Sequence, residues 1–367
     1  MALAALMLFT GCALIHGSFS ADATHSPQDD AEVDIYTPEP TAYVTPEATP
    51  EPTEEPKEET TEEPTEEPTP TPMVTAEYKS RVNVLNVRME PNTESAVVAR
   101  LGFEEKITVV EPADGEFYKV LYDGRECYCY SRFLVPAGEK LYGYLSPRYE
   151  YLTDSSGAIV YEDDGVTPVM LTAELIDVRL VVPGIEVYQI FGTDRNFTGE
   201  VLYSRPVPVL EIGTANKLAA AAKRFAEDGY RIKLYDCYRP KSVQYILYDI
   251  VKNSAYIADP YKSSSNHSRA AAVDITLIGP DGKELDFPTP MHTFEKIVYR
   301  SSRSEWTQEQ RDNVDYMTEV MLESGFKLIN TEWWHFSDLD YHSYIVLDID
   351  MKDIPMFTAS QLGYKEP

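Results

Sequence analysis

Histidine is scarce in this 367-residue chain, and four of its six copies, His267, His292, His335 and His342, fall in the last third. Two of them sit beside carboxylates at suggestive spacing. Ser265-Asn266-His267 opens a Ser/Asn-rich loop, and seven residues after the histidine comes Asp274, inside the apolar run Val273-Asp274-Ile275-Thr276-Leu277. A carboxylate within an apolar strand needs a compensating partner, because a buried unpaired charge is expensive. A metal ion would supply one. Further on, Thr331-Glu332-Trp333-Trp334-His335-Phe336 places a second histidine and a glutamate among large aromatics. Two His and one Asp form a three-ligand set with a fourth position left for water, the arrangement a hydrolytic zinc site requires. Glu332 then becomes the candidate general base. In a flat strand residues three apart face oppositely, so Glu332 and His335 can share a site only if the backbone turns or bulges at Trp333-Trp334. Arg239, in Asp236-Cys237-Tyr238-Arg239-Pro240, could stabilise an oxyanion formed on a carbonyl. Taken singly, a His beside aromatics is usually a packed core residue and an Arg before Pro a surface one; their conjunction is what points to chemistry.

The elements that must position these groups can be read from caps and periodicity. Thr214 is placed to cap a helix running through Ala226 and stopped by Gly229, with a strand at Arg231 to Tyr235 after it. Pro240 to Lys252 reads as a helix with proline in its first turn. Thr307 and Gln310 make a capping-box pattern for a helix that ends at Gly325, before a strand from Phe326 to Ile329. The order is α+β.

Upstream the chain changes character three times. Met1 to Ile15 is almost wholly apolar or small, with Ala21 and Ala23 following, which predicts a signal peptide over 1–23 although no Lys or Arg precedes the apolar run. Phe9-Thr10-Gly11-Cys12 is a loose lipobox and offers a lipid anchor at Cys12 as the alternative to free secretion. Residues 24–76 form a Pro/Thr/Glu-rich linker expected to be disordered. Its Ser26 to Pro72 core carries fifteen acids and one lysine, about half of the formal net charge of −29. The acidity therefore says little about the folded parts, and with no Lys/Arg-rich stripe anywhere it argues against a nucleic-acid partner. From 77 to 137 short alternating apolar runs (Val82, Val84, Val87; Val97, Val98; Ile107, Val109, Val110; Phe117, Lys119, Leu121) are punctuated by turn signals such as Asp114-Gly115 and Asp123-Gly124, as in a small all-β barrel. Cys127 and Cys129 lie two apart in one strand and Cys237 is alone, so the cysteines do not form a disulfide framework.

Two resemblances follow from these residues. Leu85-Asn86-Val87-Arg88 with Pro91, then Tyr118-Lys119-Val120 and Tyr128 to Leu134, resembles the bacterial SH3-type domain. That family commonly binds peptidoglycan or other wall polymers, which implies targeting here. A passive spacer is the alternative, and Phe117, Tyr118, Tyr128 and Tyr130 could be core or binding surface. In residues 138–367, Ser265-x-His267-x6-Asp274 with Glu332-Trp333-Trp334-His335, preceded by Tyr238-Arg239-Pro240, resembles the VanX-type D-alanyl-D-alanine dipeptidases, relatives of the zinc D,D-carboxypeptidases. Leu175-Ile176-Asp177-Val178-Arg179 and Asn196-Phe197-Thr198-Gly199 look like the start of that family's domain, and the likeness spans about Glu174 to Ile345.

The resemblance implies an antiparallel sheet with helices and one zinc per chain held by His267, Asp274 and His335. It implies Glu332 as catalytic base, Arg239 as transition-state stabiliser, and Ser265 and Asp236 near bound substrate. The implied reaction is hydrolysis of D-Ala-D-Ala to two D-alanines in wall metabolism by a secreted, wall-associated enzyme. Trimming of peptidoglycan stem peptides as a D,D-carboxypeptidase, and an inactive wall-binding protein, are the alternatives. Two positions depart from the family: Ala270 stands where it usually has glycine, which costs stability or shifts the ligand if φ there is positive, and Cys237 also replaces a usual glycine. Asp177, His292 and His342 are assigned structural roles.

Overall fold

The structure, a computed structural model, describes residues 73–367. The expected signal peptide, the Cys12 anchor and the linker up to residue 72 lie outside the described residues. The first seven strands, β1 (Thr75–Ser80), β2 (Leu85–Arg88), β3 (Val97–Leu101), β4 (Lys106–Val110), β5 (Phe117–Tyr122), β6 (Arg125–Tyr130) and β7 (Leu134–Pro136), form one antiparallel sheet in the order β3-β2-β6-β5-β4-β1-β7. Period-two alternation turns Leu85, Val87, Ile107, Val109, Val120, Cys127 and Cys129 into a single core. Asp123 and Gly124, both at positive φ, close the β5–β6 hairpin in the conformation such tight turns favour. Val84, Val97 and Val98 are exposed rather than core, because β2 begins only at Leu85 and β3 is an edge strand. Tyr118 and Tyr130 pack partly buried against the core.

The rest is α+β. Strands β8 (Tyr142–Tyr151), β9 (Met170–Asp177), β11 (Val209–Glu211) and the late β16 (Met356–Phe357) make a four-stranded sheet, with a short helix α1 (Val178–Val181) after β9. The second sheet carries the site. Its order is β10 (Glu186–Val187), β12 (Arg231–Asp236), β13 (Ala272–Ile278), β15 (Glu332–Asp338), β14 (Phe326–Ile329), antiparallel except where β10 runs parallel to β12. Helices α2 (Ile212–Glu227) and α4 (Gln308–Glu323) cover one face and share a core with Val273, Ile275 and Leu277 of β13. Alternation sends Asp274 to the opposite face.

The caps explain where the helices begin. Thr307 and Gln310 form the expected capping box of α4, and Gly325 at φ +93 turns the chain into β14. Helix α3 (Lys241–Val251) follows Pro240 and ends at Lys252 in the left-handed region. Helix α2 starts earlier than expected: Glu211 is its cap, its carboxylate accepting from the Ile212 and Glu174 amides at 2.8 and 2.9 Å. Thr214 lies inside the first turn, buried, and donates to Asp338 at 2.6 Å.

Two arginines, one from each side, bind the β barrel to the body. Arg81 donates to Met356 O at 2.6 Å while stacking over Phe357, and Arg205 donates to Ile354 O and Asn83 Oδ1 while lying over Phe103. Among the described residues no helix is long and apolar enough to cross a membrane, and Cys127, Cys129 and Cys237 are free and buried.

Candidate metal centre and active site

Three neighbouring strands and one loop converge on the open face of the second sheet. A β-bulge at Tyr235 of β12 shifts the register so that Asp236 pairs with Asp274, which in turn pairs with His335 of β15. The other histidine comes from a turn of 3₁₀ helix, His267–Arg269, just before β13. Its main chain is pinned: Ser265 Oγ accepts from the His267 amide at 3.2 Å, and His267 O accepts from the Arg239 and Ala270 amides. Ala270 has φ +52, the left-handed conformation that favours glycine, so the strain foreseen for an alanine is present while the turn keeps its hydrogen bonds. Cys237 packs its side chain into the core and leaves its carbonyl facing the His267 ring.

The geometry tests whether a metal fits. His267 Nε2 and His335 Nδ1 are 3.2 Å apart, and Asp274 Oδ1 lies 3.0 Å from the latter and 3.5 Å from the former. Ligands about 2.0–2.1 Å from a tetrahedral zinc are separated by about 3.3 Å, so these three atoms are spaced like corners of such a shell. The carbonyl of Cys237 can only accept, so His267 Nδ1 at 2.7 Å carries the proton and Nε2 presents a lone pair inward. Ser337 Oγ, 2.9 Å from His335 Nε2, can accept from that nitrogen and leave Nδ1 as the donor to a metal. All three residues are buried and their donor atoms lie within 4.8 Å of one another. A cation is the partner this set calls for.

Electrostatics agree with that geometry. Burial would raise the Asp274 carboxyl, but its imidazole neighbours, His267 foremost and then His292 and His335, outweigh it and hold it well below the usual carboxylate range. Burial lowers His335, favouring the neutral imidazole that binds metals. Burial, then the charge of Asp274, push Glu332 well above its ordinary value.

Glu332 reaches the same space because β15 bulges. Leu328 pairs with Phe336 whereas its neighbour Ile329 pairs with Glu332, leaving Trp333 to His335 looped between the two pairs. This is the bend that the Glu332/His335 spacing demands. It also explains how adjacent Trp333 and Trp334 both enter the core, their rings edge to face at 5.2 Å. Arg300 secures the bulge, donating to Ile329 O at 3.1 Å, Trp333 O at 2.8 Å and Thr318 Oγ1 at 2.8 Å. Burial pulls its guanidinium down to about 10. Glu332 Oε2 stands 3.9 Å from His335 Nδ1.

Glu332, Arg239 and Ser265 line, with the three candidate ligands, a cavity of about 290 Å³. That is at the small end of pockets for small molecules, roughly 300–1,000 Å³. Asp236, expected near bound substrate, stands behind Arg239. It is fully buried and does not line the cavity; its carboxylate accepts from Arg239 Nε at 2.8 Å, Arg239 Nη2 at 2.6 Å and the Tyr203 hydroxyl at 2.8 Å. Gln244 accepts from Arg239 Nη1 at 2.8 Å. Burial opposes the Arg239 charge, yet Asp236 outweighs it and raises the guanidinium's pKa.

Of the residues assigned structural roles, Asp177 has one: it pairs with Arg179 and accepts from the Gly143 amide. His342 stacks with Tyr341 away from the cavity. His292 differs, since it lines the cavity with its Nε2 3.4 Å from Asp274 Oδ2. Sequence reasoning also missed Tyr203, Gln244 and Arg300; the only local signal was Gln244, one turn into the helix that follows Arg239-Pro240.

Comparison with known proteins agrees with this architecture. The family model described as D-ala-D-ala dipeptidase matches residues 171–351, and that of the bacterial SH3 domain matches residues 83–135. The D-alanyl-D-alanine dipeptidase of Enterococcus faecium is 30% identical over 179 residues, covering 42% of this chain and 87% of that protein. The D-alanyl-D-alanine dipeptidase of Escherichia coli K12 is 28% identical over 176 residues, 48% of this chain and 90% of that protein. With a bacterial SH3 domain ahead of it, the chain belongs to the D-Ala-D-Ala dipeptidase family.

Proposed function

We propose that the protein is a zinc-dependent dipeptidase that hydrolyses D-alanyl-D-alanine to two D-alanines at the bacterial cell wall. The observation that carries the reading is the triangle of His267 Nε2, His335 Nδ1 and Asp274 Oδ1, 3.0 to 3.5 Å on a side, with Glu332 beside it in one small cavity. The three residues would hold a single zinc, which when bound polarises a carbonyl and makes a water more acidic. Glu332 takes a proton from the attacking water and passes it to the leaving amine. Arg239, held by Asp236 and Gln244, keeps N–H groups free to meet the oxyanion, and Ser265 borders the bound peptide. The named activity of the Escherichia coli and Enterococcus relatives supports the substrate.

The SH3 domain supports association with the wall, with peptidoglycan as its partner, and hence export by the leader over 1–23, or anchoring at Cys12. An enzyme stationed there also meets peptidoglycan stem peptides, so trimming of D-Ala-D-Ala termini is the second reading. The test compares hydrolysis of free D-Ala-D-Ala with that of a D-Ala-D-Ala-terminated pentapeptide by zinc-loaded protein. Cleavage of the dipeptide alone is expected. Cleavage of the pentapeptide would make the protein a carboxypeptidase, and cleavage of neither would leave a wall-binding protein.

A further inference from the structure

The segment between β13 and α4 brings a third imidazole to the candidate metal centre. The His292 side chain is only 8% exposed and stacks on Phe191, ring centroids 5.1 Å apart and planes 18° from parallel. Its main chain is at φ +57, a left-handed conformation that costs a non-glycine residue about 1–3 kcal/mol.

The contacts say what it does. His292 Nε2 is 3.4 Å from Asp274 Oδ2, and Nδ1 is buried without a partner. A proton on Nδ1 would leave a buried N–H unpaired and turn the Nε2 lone pair toward a carboxylate. The neutral tautomer with Nε2–H avoids both. The two oxygens of Asp274 are thereby divided. Oδ1 faces His267 and His335, whereas Oδ2 faces His292 and, at 3.7 Å, Arg239 Nη2. Without a donor on the far side the carboxylate could rotate and offer either oxygen, or both.

We infer that His292 is a positioning residue for the metal: it donates to Asp274 Oδ2 and fixes the carboxylate so that Oδ1 alone is presented to the ion. The inference rests on the reading of His267, Asp274 and His335 as a metal centre. Partners behind a metal ligand change metal affinity by about 10–100-fold when removed, whether or not they touch substrate.

The experiment measures zinc affinity by competition with a chelator for wild type, His292→Phe and His292→Gln, alongside thermal unfolding of each zinc-free protein. Phenylalanine can keep the stack on Phe191 but has no donor; the glutamine amide can place an N–H where Nε2 stood. The expected result is zinc affinity lowered about 10–100-fold in His292→Phe and largely restored in His292→Gln, with zinc-free unfolding temperatures close to wild type. Wild-type affinity in His292→Phe, or affinity in His292→Gln as weak as in His292→Phe, would overturn the inference while leaving the metal centre standing. A wild type that binds no zinc would remove the metal centre and this inference together.

Discussion

Replacing Asp236 with alanine separates two roles for this carboxylate: contact with substrate, or a buried strut for Arg239. Asp236 is fully buried and accepts three hydrogen bonds, two of them from Arg239, which is itself 5% exposed. In Asp236→Ala the guanidinium keeps its hydrogen bond to Gln244 and the more distant Asp274 Oδ2 at 3.7 Å, but loses both of its hydrogen bonds to a carboxylate. Breaking a buried pair from one side costs about 3–5 kcal/mol, because the remaining charge is left uncompensated. At roughly 2–4 °C per kcal/mol for a body of this size, the zinc-free protein should unfold about 6–20 °C lower. Adding Arg239→Ala to Asp236→Ala should recover part of that loss, since no charge then remains to be buried. In the kinetics of the single variant below its melting range, kcat should fall as Arg239 loses its orientation, with KM for D-Ala-D-Ala little changed. An unfolding temperature within about 2 °C of wild type together with a raised KM would refute the strut and return Asp236 to the substrate.

Three further outcomes follow from the packing. Ala270→Gly relieves about 1–2 kcal/mol of left-handed strain but gives up a buried methyl worth about 0.8 kcal/mol. Urea unfolding should show a net gain of up to about 1 kcal/mol with zinc content unchanged, and a loss of stability would show that the turn is not strained. Arg300→Ala abandons the carbonyls of Ile329 and Trp333 at the β15 bulge, each buried unpaired acceptor costing about 1–3 kcal/mol. The variant should be less stable and should lose kcat rather than KM, whereas unaltered kinetics would mean that Glu332 keeps its place without the clamp. Burial pushes the Cys129 thiol up to about 12 and Cys237 well above its ordinary value. An alkylating reagent followed by peptide mass spectrometry should therefore label Cys129 and Cys237 only after unfolding, and rapid labelling of the native protein would contradict their burial.

How much of the site was legible depends on whether a residue announces itself locally. Rarity of histidine, a carboxylate in an apolar strand and a Glu three residues before a His were enough to bring out His267, Asp274, His335 and Glu332, and strand periodicity alone required the bend at Trp333-Trp334. The capping box at Thr307 and the strand from Phe326 to Ile329 were equally plain. Glu211 was missed because glutamate is a poor N-cap by type; it succeeds here by also accepting the Glu174 amide of a neighbouring strand. That Asp236 is buried behind Arg239 was not legible, because its direction is set by the bulge at Tyr235, which depends on pairing with β13. His292 and Arg300 act across 18 and 33 residues of chain, on Asp274 and Trp333, through contacts that no local pattern encodes.

The most direct test of the zinc centre and its base is metal content and D-Ala-D-Ala hydrolysis of the full chain and of Glu332→Gln, taken on the same preparations. One zinc per chain is expected in both proteins, with hydrolysis by the wild type and nearly none by the variant. Hydrolysis that survives Glu332→Gln would remove Glu332 as the base, and a wild type active without any bound metal would remove the metal centre.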